Sequence, residues 1–335
     1  MLNTIVNLFV AAVLAGTPLL FGTIGEILTE KSGNLNLGVE GLMYMGAISG
    51  IASVYYVESW LGSSISGIGC ALVAVLFAFL LGAFGSAIYG FLTITLRANQ
   101  NVTGLTLTIF GTGFANFFGE AITNAAPNKI LTISTEAKAT FANSSIFPFM
   151  ADLAEKSQFW YYINKLFFSY NFVVYLGIIL AILMAVFLKR TRVGLNLRAV
   201  GEDPATADAA GINVNRYKYL ATIIGGGICA IGGMYISLVT SNGVWIYNCV
   251  GGKGWIAVAL VIFAVWSPAR ALIGSLVFGG LSILRMYVPM GIPIEIYDVF
   301  PYLFTIIVLI ITSIRQNKEH NMPKHCGFNY FREER

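Results

Sequence analysis

The sequence predicts an all-α integral membrane protein with about nine transmembrane helices, eight and ten being the bounds. Three observations predict it. Of 335 residues, 57% are hydrophobic and 11% charged, against about 25% charged in ordinary soluble domains. A soluble chain of this size cannot hide so much apolar surface, so lipid is its solvent. The apolar residues fall into runs at 3–25, 38–57, 66–96, 101–119, 167–188, 218–240, 254–267, 270–287 and 299–314, most of them near the ~20 residues that cross a bilayer. The charges between the runs show the bias of a positive-inside protein.

Taken in order, Met1 to Gly25 carries no Asp, Glu, Lys or Arg. It lacks the basic start and small-residue cleavage site of a signal peptide, so it reads as a retained first helix. The run 254–267 is short and follows a glycine-rich stretch, which leaves a re-entrant segment open beside a full crossing. Gly46-x-x-x-Gly50 and the group Gly225–Gly227, Gly232 and Gly233 permit close helix approach. That pattern reads as packing within the chain rather than as a subunit interface. The segment 189–218 holds Lys189, Arg190, Arg192, Arg198, Arg216 and Lys218 against Glu202, Asp203 and Asp208, which places it in the cytoplasm. Nine crossings then put Lys31, Arg97, Arg270 and the tail bases on the same side. The loop 120–166, with four bases and four acids, falls outside. The outline is a transmembrane domain over 1–315, a cytoplasmic loop at 194–218, an extracytoplasmic loop at 120–166 and a cytoplasmic tail at 316–335.

Several classes of function are excluded. A net charge of +4 is loop bias, not a nucleic-acid surface. Cys70, Cys229, Cys249 and Cys326 form no C-x-x-C pair, and three lie in apolar runs, so no disulfide or zinc framework is expected. His320 and His325 stand beside Cys326 in the polar tail, where a solvated tail is expected rather than a metal site. No phosphate-cradling G-x-x-x-x-G-K-[ST], no H-E-x-x-H and no G-x-S-x-G occurs, and no histidine lies in an apolar run. Catalytic residues, metal and cofactor are therefore all expected to be absent. The acids near membrane depth are few: Glu26, Glu40 and Glu120, all close to predicted helix ends. A self-powered proton carrier usually keeps more, so the energy is expected to come from another subunit.

The stretch "GEDPATADAAG" is built as a short capped helix. Asp203 suits the N-cap, Pro204 the first helical position and Gly211 the C′ position. Two turns span about 10 Å. A helix that short is marginal alone in water, and its small alanine side chains let it sit in a partner's groove.

The surrounding "RVGLNLRAVGEDPATADAAGINVNRYK" resembles the cytoplasmic coupling loop of permeases in the branched-chain amino acid/ribose superfamily of ABC importers. "EILTEKSGNLNLGVEGLMYMGAISG" is similar to that family's Ser-Gly-x-x-Asn-x-Gly-x-Glu-Gly signature. "ANQNVTGLTLTIFGTGFANFFG" and "GGKGWIAVALVIFAVWSPARALIGSLVFGG" are most similar to its nucleoside-importing, basic-membrane-lipoprotein-associated branch. The resemblance implies a bacterial inner-membrane protein with four kinds of partner: a second permease subunit, a cytoplasmic ATPase, an extracytoplasmic substrate-binding lipoprotein and a small-molecule substrate. It implies that Glu202, Asp203, Pro204, Ala205, Ala207, Ala210 and Gly211 engage the ATPase.

The expected substrate path draws on Asn36, Glu40, Asn101, Thr108, Asn116 and Trp255. Asn36 precedes a helix that asparagines can unwind or cap, and broken helices in transporters line cavities. Glu40 either meets substrate or serves as a cap or ion pair, for example with Lys31. Thr108, Thr112 and Asn116 share a helix face and suit a sugar or nucleobase better than an ion; helix–helix hydrogen bonding is the rival reading. Trp245, Tyr247 and Trp255 either stack on a base or belong to an interfacial belt. Neutral groups favour a nucleoside over riboflavin, a pentose or a branched-chain amino acid. An ATP-independent carrier is the rival mechanism. The topology is directly testable: a cysteine at Thr206 is expected to react with an impermeant thiol reagent only from the cytoplasm, and one at Asn143 only from outside. Labelling of both from one side breaks the nine-crossing order.

Overall fold

The computed structural model describes residues 2–62, 65–144, 148–287, 293–314 and 322–332. Among them the chain is helical almost throughout. In chain order the helices are α1 (Leu2–Glu30), α2 (Val39–Leu61), α3 (Gly67–Gly90), α4 (Gln100–Ala125), α5 (Thr135–Phe141), α6 (Pro148–Lys156), α7 (Gln158–Ile163), α8 (Phe172–Arg190), α9 (Arg192–Glu202), α10 (Pro204–Ala209), α11 (Val214–Tyr235), α12 (Lys253–Phe263), α13 (Pro268–Tyr287) and α14 (Ile294–Ile314). Wider π turns extend α3 to Thr95 and α11 to Thr240. Nine of these helices coincide with the nine apolar runs.

Four segments are long and apolar enough to span by themselves: Asn3–Lys31, Gly67–Thr95, Phe172–Arg190 and Val214–Thr240. α2 carries the buried Glu40, and α4 turns Thr103, Thr108 and Asn116 inward while Asn101 and Thr106 are exposed. α12 has 11 residues, about 16 Å, or about half of a ~30 Å hydrocarbon core. The missing length is irregular backbone at 241–252. α12 then runs parallel to α1, since Thr23 donates to the Ala257 carbonyl at 3.1 Å and Trp266 donates to Glu30. α13 runs antiparallel to α1, with Gly16 against Ser275 and Gly279 against Ala12. The short run at 254–267 is thus the helical half of one crossing, and α13 begins the next.

The bundle centres on α11, which α1, α2 and α3 surround. Close approach is bought with glycine: Gly25 faces Gly225, Gly46 faces the Ala230 backbone, Gly82 faces Gly226, and Gly233 faces the Met43 backbone. The glycine group of α11 is therefore packing within the chain. Interhelical hydrogen bonds reinforce it, from Ser237 to the Ala47 carbonyl at 2.8 Å and from Cys229 to the Gly22 carbonyl at 3.3 Å.

The two ends of the bundle differ. At one end α5 caps the loop after α4, and Thr132 pairs with Val244 in an isolated bridge; Trp245 donates its backbone N–H to the Leu131 carbonyl at 2.9 Å. At the other end lie α9, α10, the α3–α4 junction and, against expectation, residues 322–332 of the tail. Polar composition predicts a solvated tail, but Pro323 and Cys326 are buried and His325 donates its N–H to the Gly201 carbonyl at 3.1 Å. His320 lies outside the described residues, and no group of metal-ligating side chains occurs among those described.

A Cβ at Gly233 would collide with the Met43 carbonyl, whereas one at Gly113 meets nothing within 4 Å. Gly233→Ala is therefore expected to lower the melting temperature of the detergent-solubilised protein, by overpacking worth about 1–3 kcal/mol. Gly113→Ala is expected to leave it unchanged or raised. Equal melting temperatures for both variants contradict the assigned α2–α11 contact.

Candidate functional site

Two breaks in helical backbone organise the site. Buried N–H and C=O groups without a helical partner are costly and must be paired elsewhere in the protein. The first break, between α1 and α2, is "KSGNLNLG" at 31–38. A turn closes α1, with Ser32 N–H on the Thr29 carbonyl at 3.0 Å and Gly33, at φ 90, on Glu30 at 2.9 Å. The extended residues that follow are served by side chains from four helices. Glu26 of α1 accepts from Asn36 N–H at 3.0 Å. Tyr89 of α3 donates to the Leu35 carbonyl at 2.6 Å. From α4, Gln100 accepts from Leu35 N–H at 2.7 Å and Thr108 donates to the Leu37 carbonyl at 3.0 Å. Thr222 of α11 accepts from the Asn34 amide at 3.1 Å. Asn36 itself accepts from Gly38 N–H at 2.8 Å and turns the chain into α2.

The second break leads into α12. Gly252, at φ 83, is its N-cap and has no side chain to cap with. Glu40 of α2 does this work from across the bundle. Its two oxygens accept from Gly252 N–H at 2.8 Å and Gly254 N–H at 2.6 Å, so an acid answers both the orphan donors and the positive end of a helix dipole. Glu40 does not pair with Lys31. Tyr44, one turn on, accepts from Gly251 N–H at 3.3 Å. At the far end of α12, Val265 and Trp266 both sit at φ 51, a conformation costly to a β-branched residue. That turn aims the Trp266 indole at Glu30.

The expected path residues divide accordingly. Asn36 and Thr108 meet at the first break, while Glu40, two residues beyond it on α2, serves the second. Asn116 lies two turns further along α4 and forms a mutual amide pair with Asn248, donating at 2.8 Å and accepting from its N–H at 3.3 Å. Trp255 is in the first turn of α12, beside the Glu40 cap, and is 38% exposed; Tyr247 and Asn248 are exposed beside it. Asn101 is exposed in the first turn of α4, about 10 Å along the helix from Thr108. Thr106 bonds back to the Val102 carbonyl of its own helix at 2.8 Å. Glu30, Lys218, Tyr89 and Gln100 were not expected, yet all are buried. Glu26 and Glu30, spaced i, i+4 on one helix face, carried a readable signal. The Glu26 oxygen Oε2 has no hydrogen-bond partner among the described residues.

The short capped helix is present as α10. Asp203 accepts from Thr206 N–H at 3.0 Å. At the C-terminus, Gly211 N–H reaches the Asp208 carbonyl at 2.9 Å and Ile212 N–H the Ala207 carbonyl at 3.0 Å, which is a Schellman closure. Hydrogen bonds from the Thr206 hydroxyl, the Thr206 N–H and the Ala205 N–H, with the nearby His325, lower the Asp203 carboxyl below its ordinary range, the Thr206 hydroxyl contributing most. Pro204 and Ala207 face inward, Ala207 packing with Val200 and Val214. Glu202, Asp203, Thr206, Ala209, Ala210 and Gly211 face outward, with Ala205 half-buried. Any docking face is therefore made by the outward set, and Pro204 and Ala207 hold the helix to its own subunit.

Apolar helices long enough to span a bilayer, two of them joined by broken backbone, with a capped helix displayed at one end of the bundle, are the architecture of a multi-pass membrane permease. The sequence matches, over residues 8–309, the family described as the branched-chain amino acid transport system permease component, and the chain belongs to that family. A nucleoside ABC transporter permease of Lactococcus lactis is 29% identical, with 98% of each chain covered. A guanosine ABC transporter permease of Bacillus subtilis is 30% identical over 91% of this chain and 92% of its own. A candidate glucose ABC transporter permease of Haloferax volcanii is 35% identical over 82% of this chain and 76% of its own.

Glu40→Gln leaves one acceptor oxygen for two N–H groups and turns an amide donor toward the other. It is expected to lower the melting temperature of the solubilised protein, at a cost of about 1–3 kcal/mol for the stranded donor. A wild-type melting temperature removes the capping role.

Proposed function

We propose that this chain is the permease subunit of an ATP-driven ABC importer, forming half of a translocation path for nucleosides in a bacterial inner membrane. The observation that carries the mechanism is α10: a two-turn helix closed at both ends, held to its own subunit by Pro204 and Ala207, with a small-residue face turned outward. The six bases of 189–218 put it in the cytoplasm, where a separate ATPase subunit receives it and supplies the hydrolysis. Closure of that ATPase moves α10 and rocks the helices as rigid bodies.

The substrate reading rests on chemistry and on kinship. Asn116, Asn248 and Thr108 are neutral donors and acceptors, and Tyr247 and Trp255 offer ring faces for a base. The nucleoside and guanosine permeases related to this chain match nearly its whole length. A sugar is the second reading, favoured by the identity to the Haloferax protein. A second permease subunit completes the path, and an extracytoplasmic lipoprotein delivers the substrate.

The test is uptake of labelled nucleoside by vesicles holding the complete transporter, with and without ATP, and with glucose, riboflavin, pentoses and branched-chain amino acids as competitors. Nucleoside uptake that requires ATP and resists those competitors is expected; ATP-independent uptake returns the chain to the carriers. Within the complex, Ala209→Trp on the outward face is expected to cut uptake by about tenfold while the permease still folds. Ala207→Trp is expected to lower permease stability instead, because the site is filled. Unchanged uptake in Ala209→Trp removes that face from the ATPase contact.

A further inference from the structure

Residues 322–332 follow the last helix and belong to neither break, yet they are anchored on two sides, to α10 and to the α3–α4 junction. On one side Tyr330 donates to Asp208 Oδ2 of α10 at 2.9 Å, and Arg332 pairs with the same oxygen at 3.1 Å. The Tyr330 ring packs with the cluster of Val200, Ala207 and Val214 that seats α10. On the other side Asn329 donates to the Arg97 carbonyl at 2.6 Å, at the α3–α4 junction, and Arg97 lies over the Phe331 ring at 4.5 Å. Gln100 joins the two regions. Its amide nitrogen donates to the Phe328 carbonyl at 3.2 Å, while its oxygen accepts from Leu35 N–H in the α1–α2 break.

A continuous chain of contacts therefore runs from α10 through Tyr330 and Phe328 to Gln100 and Leu35. The break that it reaches is the one where Asn36 and Thr108 meet. α9 also touches this break directly, with Gly201 against the Lys31 carbonyl, and the His325 carbonyl of the tail lies beside the same turn at Gly33. A displacement of α10 alone would have to tear the Asp208 contacts or carry Gln100 with it.

We propose that the C-terminal segment is a strut that transmits α10 movement to the α1–α2 break, with Tyr330, Asp208 and Gln100 as its positioning residues. The proposal rests on the ATP-driven reading above and adds the route by which the ATPase stroke reaches the path. Tyr330→Phe combined with Arg332→Leu removes the donors of both these bonds to Asp208 and keeps the ring packing.

In vesicles holding the complete transporter, that double variant is expected to lower uptake per ATP hydrolysed by about fivefold, with ATPase association retained. An unchanged ratio overturns the strut, and so does higher uptake, the mark of an autoinhibitory tail. A cycle between Asp208→Ala and Tyr330→Phe is expected to be non-additive in the same ratio; additive losses overturn the coupling. The second readout needs no transport. Hydrogen exchange on the solubilised permease is expected to speed up at residues 33–37 in the double variant, and unaltered exchange there overturns the strut. Wild-type vesicles without ATP-driven uptake would sink the importer reading alone, since the exchange measurement still decides the strut.

Discussion

Most of this structure follows from one constraint: the backbone of residues 34–38 runs largely buried through the bundle without helical hydrogen bonds. Each exposed amide there needs a protein partner. Glu26, Tyr89, Gln100 and Thr108 supply backbone partners from three helices, Thr222 of a fourth holds the Asn34 side chain, and each fixes how its helix meets α2. Polar residues that look out of place in apolar runs are explained by this one demand. A glycine-rich packing of α1, α2, α3 and α11 is its counterpart, because short side chains such as Thr222 reach the break only if the helices approach closely.

The same logic explains the acid in "GVEG". A half-helix that starts in mid-membrane leaves N–H donors with no preceding turn to serve them. Gly252 cannot cap α12 itself, because the left-handed turn that starts the helix requires a residue without a side chain. The cap is therefore imported from α2. This makes Glu40 a bond between the two breaks rather than an isolated acid in lipid, and it puts the start of α12 under the control of α2.

The helices were readable because membrane depth imposes a length and an apolar composition on each run, and the nine runs show both. α10 was readable to the residue, since Asp203, Pro204 and Gly211 each answer a local backbone need. What the sequence did not reveal is what depends on three-dimensional partners. Asparagines in "SGNLNLG" signal a break but not which helices serve it, so Tyr89 and Gln100 passed as ordinary residues. Glu40 was recognised as needing a partner, but Gly252 and Gly254 lie more than two hundred positions away in the chain, and no local rule points to them. The inward turn of Ala207 is likewise a matter of packing: alanine is small enough for either face, and Val200 and Val214 decide it. The tail misled for the opposite reason. Its composition is that of a solvated segment, and the partners of its Asn329 and Tyr330 side chains, Arg97 and Asp208, lie more than a hundred positions away in the chain.

Placed together, the two breaks form one mechanical unit. Glu40 holds the first turn of α12, and Glu30, at the end of α1, holds the turn that ends it through Trp266. The half-helix is thus gripped at both ends by residues flanking the 31–38 segment, and a shift of that segment moves α12 as a body. Trp255 rides on its first turn, and the Asn116–Asn248 pair stands just beyond, on the irregular chain that feeds it. Under the proposed reading, a motion entering at α10 and reaching residue 35 is carried by these same bonds to the exposed Trp255 and Asn248. No long-range signal beyond rigid packing is needed, because every link is a hydrogen bond or a close backbone contact within one subunit.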